Sequence, residues 1–340
     1  MINPVYVRNP ESGKFETKEF ADAQLSALRI SDPISTNVVQ GYTNQTLIGD
    51  RLLKPVGMVK ETGRFPCWGK EAFVISGDLK RAVGAKVARL NSSNGYVTQE
   101  LYEYALAATV ENRERTEYAG SPDDLVNGRL LQVQDKLALY REYLQCVAVT
   151  TTTNYASGYY TSGAGKAWAT TGDAVKDMES LIDDVTKANG RRPNVGWFSP
   201  ASWRLFKRNK AVLDTFIAGG TPMTPAKLTL QAAAGLLELD EILVGYAVYG
   251  TGISQGKVKG TALTMGYLWD SVQSSNAGVL IRGNGTGQEP AFGYTWEKQG
   301  TPIVESYYEN QTKSQIWDVE QFYNPAITLN TAGAMYYSIA

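Results

Sequence analysis

Residues 121–147, SPDDLVNGRLLQVQDKLALYREYLQCV, set apolar side chains at Val126, Leu130, Val133, Leu137, Tyr140, Leu144 and Val147. Spacing that alternates between four and three predicts an amphipathic helix with one stripe along a straight rod. Ser121 is suited to cap its start. Pro122 at the first helical position has no N–H to lose, and Asp123 and Asp124 complement the positive helix end. At about 1.5 Å rise per residue the rod is roughly 40 Å long. Asn127 and Gly128 are poor helix formers, so the regular part is expected to begin after them. A two-helix coiled coil is the alternative. About three heptads and no matching second helix disfavour it.

The chain upstream is extended. Residues 1–50 hold one helical candidate, Glu16 to Arg29, followed by the polar stretch ISDPISTNVVQGYTNQTLIGD at 30–50, interrupted by Pro33 and Gly41. Such a segment buries too little apolar surface to offset its own ordering entropy, so it is predicted to lie as an arm on another surface, preferably a neighbouring copy. Residues 51–95 alternate in strand fashion through PVGMVKETGRFPCWGKEAFVI (55–75) and RAVGAKVARL (81–90), and Asn94-Gly95 closes the pattern. They predict a long β-hairpin.

Charge divides across this boundary. Residues 51–90 hold nine Lys/Arg against three acids, a net of +6, whereas residues 96–150 hold nine acids against five bases, a net of −4. Two independently solvated faces are the plain reading of such runs. A projecting basic hairpin beside an acidic helix favours a contact between subunits. Its candidate residues are Lys60, Arg64, Lys70, Lys80, Arg81, Lys86 and Arg89.

Downstream, the Gly/Thr/Tyr-rich stretch at 150–173 reads as a loop and domain boundary. A helix is predicted from Asp173 to Ala188, with Val175, Met178, Leu181, Ile182 and Val185 on one face and Asn189-Gly190 as its stop. NVGWFS (194–199) reads as a buried strand. Ser199-Pro200 then starts a helix carrying Trp203, Phe206, Leu213 and Phe216, and Thr224-Pro225 starts another through AKLTLQAAAGLLEL. EILVGYAVYG (241–250) is a second core strand, and 258–340 alternates like an antiparallel sheet.

Composition narrows the function. The 340 residues are 43% hydrophobic and 11% aromatic, enough for one large core or two medium ones. A net charge of −1 argues against a protein whose main task is holding nucleic acid. The sequence lacks an apolar run long enough to span a bilayer and a signal-peptide layout, so the expected location is a cytoplasm, without a membrane partner. The chain has no histidine, which excludes Ser-His-Asp, Cys-His and HExxH chemistry. Cys67 and Cys146 are too few for a four-cysteine zinc site and read as free core thiols.

Two glycine runs imitate nucleotide loops. SGAGKA (162–167) has Tyr160 where the upstream glycine should be and Ala167 where Ser or Thr should follow the lysine. Gly283, Gly285 and Gly287 run into Pro290 and a strand where a dinucleotide site needs a helix. The pairs Asp183/Asp184 and Asp240/Glu241 are sequence neighbours, read as lying on solvated helix ends, not facing each other across a cleft. A carbohydrate-active enzyme that draws carboxylates from distant strands, with 20 Tyr and 7 Trp lining its groove, is the remote alternative. Neither a cofactor nor a metal is expected.

The order of elements, and the strand-to-helix run VGWFSPASW (195–203) continuing through Leu205, Phe206 and Lys207, resembles the major capsid protein of tailed bacteriophages. EQFYNPAI (320–327) is similar to that family's closing strand. The resemblance implies an α+β fold with an N-terminal arm (1–50), an extended β-hairpin E-loop (51–95), a P-domain on the long spine helix (96–150), an A-domain (151–300), and C-terminal strands returning to the P-domain (301–340). It implies a structural protein without catalysis, assembling as hexamers and pentamers into an icosahedral shell around double-stranded DNA, with the E-loop over a neighbour's P-domain.

The implied partners are further copies of the chain, a scaffolding protein, a portal, a decoration protein and DNA held by non-specific contact. The implied location is the virion, assembled in the host cytoplasm. Some members join an E-loop Lys to a neighbour's Asn, and Lys60 and Lys70 lie in the matching loop. The same fold serves encapsulins, so a cargo-enclosing compartment shell is the alternative.

Overall fold

The computed structural model describes residues 47–67, 95–218, 228–251 and 264–339, with short pieces at 6–8, 15–17, 30–32 and 35–36 and single residues at 80, 83 and 86. The chain divides into two compact units. One comprises Met1–Thr43, Glu103–Ala138 and Gly300–Phe322, and the other Asn44–Tyr102, Leu139–Gln299 and Tyr323–Ala340.

The long helix runs from Pro122, already regular through Asn127 and Gly128 where a later start was expected, to Thr150, three residues beyond its predicted end, and Ser121 O accepts the N–H of Asp124 at 3.0 Å. Its first half builds the core of the smaller unit. There Val126, Leu130, Val133 and Leu137 pack with Ala108 and Val110 of strand Tyr102–Glu111 and with Val304, Trp317 and Val319. Strand Ile303–Glu309 runs antiparallel to the start of strand Ser314–Ile327, with Val304 opposite Val319, and takes Ile30–Ser31 on its other side. The predicted helix from Glu16 starts instead as strand Phe15–Thr17, paired with Tyr6–Arg8, and residues 18–29 lie outside the described set.

Beyond Leu137 the buried stripe does not continue through Tyr140, Leu144 and Val147. Tyr140 is 46% exposed, and the buried positions become Glu142, Gln145, Cys146 and Val149. Glu142, Cys146 and Val149 stand two positions beyond Tyr140, Leu144 and Val147, about 200° around the helix, so the buried face is nearly opposite the expected stripe. A polarity count misses it because two of the new inward positions are polar. Cys146 is a free buried thiol, pushed up to about 12 by desolvation. The Cys67 side chain lies outside the described set.

The larger unit is built on a five-stranded mixed sheet. Its order is Glu241–Val244, Val195–Phe198, Ala277–Leu280, Gly333–Tyr337 and Tyr160–Ser162. Val195, Gly196, Trp197 and Phe198 are all buried, as suits a strand covered on both faces. Helix Ala174–Asn189 packs on the sheet through Met178, Leu181, Ile182 and Val185. Asp173 caps it by accepting the N–H of Lys176, and Gly190 ends it at φ 65°.

Three expectations are corrected here. The helix predicted to carry Trp203 through Phe216 is two helices, Pro200–Arg208 and Lys210–Ala218. Asn209 parts them, because its buried side chain donates to the carbonyls of Trp168 and Gly172 and accepts the N–H of Ala211. EILVGYAVYG is two strands: Glu241–Val244 in the sheet, then Val248–Thr251 antiparallel to Thr264–Tyr267. Gly245 lies between them, where a Cβ would fall 2.1 Å from the Trp269 ring. Tyr160–Ser162, inside the predicted loop, is an edge strand parallel to Gly333–Tyr337. The predicted helix start at Thr224-Pro225 lies outside the described residues, and the described helix Leu230–Leu236 is capped by Thr229.

Candidate assembly surface

The basic stretch is anchored by its two ends. Strand Thr62–Cys67 pairs antiparallel with Gly95–Glu100, from Thr62 opposite Glu100 to Cys67 opposite Gly95. Pro55–Met58, expected as part of the same hairpin, instead runs parallel to Gly293–Lys298. The two-stranded stem therefore opens at Thr62 and closes at Glu100. Phe65 packs on Trp296 with ring centroids 4.0 Å apart, and Trp296 is fully buried. Asn324 Nδ2 donates to Glu100 O at 2.7 Å, and Lys298 pairs with Glu61 at 2.9 Å. Apolar burial and polar ties both hold this stem.

The candidate contact residues fall in two groups. Lys60 and Arg64 lie at the stem, exposed and without an ion pair among the described residues; Lys80 and Lys86 are also exposed. Lys70, Arg81 and Arg89 lie outside the described residues. Of the acids in 96–150, Glu100, Glu103, Glu111, Glu117, Asp123, Asp124 and Asp135 are exposed, and Glu114 is half-buried against Arg129.

Glu142 is the exception, and it marks a site that charge counting misses. Its side chain is buried in the larger unit. Oε1 accepts the N–H groups of Ile48 (3.0 Å) and of the Trp269 indole (2.7 Å), and Oε2 accepts the N–H of Gly49 (2.8 Å). The flanking helix residues grip the same turn. Arg141 binds Asp50 at 2.8 Å and Glu297 at 3.0 Å, while Gln145 donates to Asp50 (2.6 Å) and Thr295 (2.8 Å). At Gly49 a Cβ would lie 1.9 Å from Gln145 Oε1, so only glycine fits without displacing that side chain. Burial pushes the Glu142 carboxyl above its ordinary value and outweighs the three N–H donors that favour its charge. An i, i+1, i+4 grouping of Arg, Glu and Gln on one helix was the available signal.

The imitation nucleotide loops have structural roles. Gly163–Gly165 is a short 3-10 turn, and Lys166 pairs with Asp177 at 2.7 Å and lies over the Tyr336 ring. Asp183 and Asp184 are exposed on a helix. Glu241, read above as a solvated helix end, begins a strand and bridges Arg51 and Arg282. Among the described residues no cluster of His, Cys, Asp or Glu is placed to hold a metal, and no helix is long and apolar enough to cross a membrane.

No family model matches the sequence. The chain is 27% identical over 293 residues to the major capsid protein of Burkholderia phage BcepMu, spanning 84% of this chain and 90% of that protein. The crystal structure of a phage-related protein from Bordetella bronchiseptica RB50 matches with TM-score 0.71 at 24% identity, covering 92% of this chain and 98% of that one. The capsid of cyanophage P-SCSP1u matches with TM-score 0.55 at 11% identity, covering 87% and 89%. The fold is thus the α+β fold of tailed-phage capsid proteins. Its sequence is similar to that of a phage major capsid protein, and its fold is shared with a phage capsid subunit.

Proposed function

We propose that copies of this chain assemble as hexamers and pentamers into a closed icosahedral shell around double-stranded DNA. The observation that carries this reading is the anchored stem, Thr62–Cys67 with Gly95–Glu100, with exposed Lys60 and Arg64 at a base tied to the core. A rigid base lets a strand pair project and deliver its basic residues to a neighbour's acidic helix surface. Lys60, Arg64, Lys70, Lys80, Arg81, Lys86 and Arg89 make that contact, and the exposed acids of 96–150 receive it.

In this reading the N-terminal residues up to about 50 are the arm, and the E-loop, expected at 51–95, springs from the stem between Thr62 and Glu100. The spine helix with the C-terminal strands forms the P-domain, and 151–300 form the A-domain that surrounds the capsomer axes. Scaffolding protein, portal and decoration protein are the further partners, and assembly takes place in the host cytoplasm before the subunit resides in the virion. Size-exclusion chromatography with light scattering, followed by negative-stain microscopy of the chain expressed alone, tests the reading. Rings of five or six, shells or tubes support it. A monomer that stays monomeric with scaffolding protein supplied overturns it. Nucleic acid inside purified native particles supports the phage shell, and a co-purifying enzyme cargo supports the compartment.

A further inference from the structure

We propose that Asn284 is a site of spontaneous covalent modification: the backbone nitrogen of Gly285 attacks the Asn284 side-chain carbonyl, ammonia leaves, and water opens the resulting succinimide to isoaspartate or aspartate. The inference is independent of how the shell assembles.

The chain holds four Asn-Gly pairs, at 94–95, 127–128, 189–190 and 284–285. In each the glycine has no Cβ to shield its nitrogen, so as sequence they are equivalent. Tertiary structure separates them. Asn94 lies outside the described residues. Asn127 and Gly128 stand inside helix Pro122–Thr150, whose hydrogen-bond ladder occupies the Gly128 N–H and fixes the backbone. Asn189 is buried. Its Nδ2 donates to the carbonyls of Val185 (2.8 Å) and Thr331 (2.7 Å), its Oδ1 accepts the Thr331 hydroxyl (2.8 Å), and the Gly190 N–H is bound to Thr186 O at 2.8 Å. Attack at either place needs hydrogen bonds to break first.

Asn284 is under none of these restraints. It is exposed, in a stretch without helix or strand, and Gly285 follows with φ 92°. Among the described residues the Gly285 N–H has no acceptor. Asn284 Oδ1 accepts the Thr286 N–H at 2.9 Å and the Thr286 hydroxyl at 2.8 Å, which folds the side chain forward across the Gly285 peptide. The same two donors face the oxygen that gains negative charge when the side-chain carbonyl carbon is attacked. A nucleophile held beside its target within one chain also has an advantage that no solvent molecule matches.

The step balances without an oxidant or reductant. The Gly285 nitrogen loses its proton and bonds to the Asn284 Cγ. The bond from Cγ to Nδ2 breaks, and ammonia leaves with a proton from solvent. Water then opens the imide. Addition at the side-chain carbonyl gives aspartate, and addition at the main-chain carbonyl gives isoaspartate, with the side-chain methylene drawn into the backbone. Either product adds a negative charge. Isoaspartate also lengthens a loop that is closely packed on both sides: a Cβ at Gly283 would fall 2.1 Å from the Tyr294 hydroxyl, and one at Gly287 would fall 2.8 Å from the Trp296 ring.

Peptide mapping by mass spectrometry of the folded full chain, held at pH 6 and pH 8, tests the proposal, with fragmentation that distinguishes isoaspartate from aspartate. The peptide containing Asn284 is expected to convert from amide to acid at least about tenfold faster than those containing Asn127 or Asn189, the factor for hydrogen bonds that must first break. Both products should form, and faster at pH 8, because the attacking nitrogen must lose its proton. Asn284→Gln keeps an exposed amide but would have to close a larger ring, so its peptide should stay unmodified. Equal rates at the three sites overturn the proposal. So does aspartate as the sole product, which marks direct hydrolysis by water, and so does conversion that persists in Asn284→Gln, which places the reacting amide elsewhere.

Discussion

Phe65 lies against Trp296 with ring centroids 4.0 Å apart, and the 35° tilt between the rings joins the hairpin stem to a fully buried side chain of the strand Gly293–Lys298. The contact links residues far apart in sequence, and it makes the stem part of the core and not an appendage. Phe65→Leu keeps the apolar bulk and removes the ring pair, with an expected loss of about 0.5–1.5 kcal/mol in denaturant unfolding. Amide exchange across 62–67 and 95–100 should rise in the same variant while helix Ala174–Asn189 is unaffected. Unchanged exchange in the stem would mean that the backbone ladder alone holds it.

The two halves of the long helix answer differently to truncation. Leu137 is 5% exposed in the core of the smaller unit, whereas Tyr140 is 46% exposed three residues on. Leu137→Ala should cost about 2–5 kcal/mol, the range for a buried large-to-small change. Tyr140→Ala should stay within about 0.5 kcal/mol in the isolated subunit. Chemical denaturation of both variants measures this, and a comparable loss at both positions would restore the continuous stripe read from periodicity.

The raised carboxyl of Glu142 sets a sign for the pH dependence of stability. Burial holds its folded-state value above that of the unfolded chain, so the folded chain holds more protons between the two. The contribution of Glu142 is therefore fully present below the unfolded value and is lost as pH rises through the folded one. Relative to Glu142→Gln, the wild type should lose stability through that window, with a slope of at most about 1.4 kcal/mol per pH unit. Unfolding midpoints of both proteins from pH 4 upward check it, and a wild type that gains on the variant as pH rises would reverse the assignment.

Charge reversal in the hairpin separates assembly from folding. Lys80→Glu with Arg81→Glu is expected to lower the yield of shells or rings sharply while the unfolding midpoint of the subunit moves by less than about 0.5 kcal/mol equivalent, as for surface substitutions. Light scattering and denaturation on the same preparation read both quantities. Normal assembly of the double variant would remove these residues from the contact.

Much of the architecture was legible in local pattern. The long helix, the capped helix Ala174–Asn189, the buried strand Val195–Phe198 and the Ser199-Pro200 helix start all stand where spacing and capping chemistry put them. These signals lie within a few residues of each other, so a linear reading holds them complete. The breaks at Asn209 and Gly245 were not legible. The first depends on carbonyls of Trp168 and Gly172 some forty residues earlier, and the second on the ring of Trp269.

The sequence by itself determined the element order, the absence of histidine chemistry and the opposed charges on either side of residue 95. Only tertiary structure decided that one acid of the spine helix, Glu142, leaves the solvated set and turns inward. Its charge is tolerable there because Ile48 and Gly49, more than ninety residues away in the chain, bring two N–H groups to one carboxylate that Trp269 also reaches. Periodicity reports which side chains avoid water, but a buried carboxylate is admitted by the donors around it, and those are gathered only when distant segments meet.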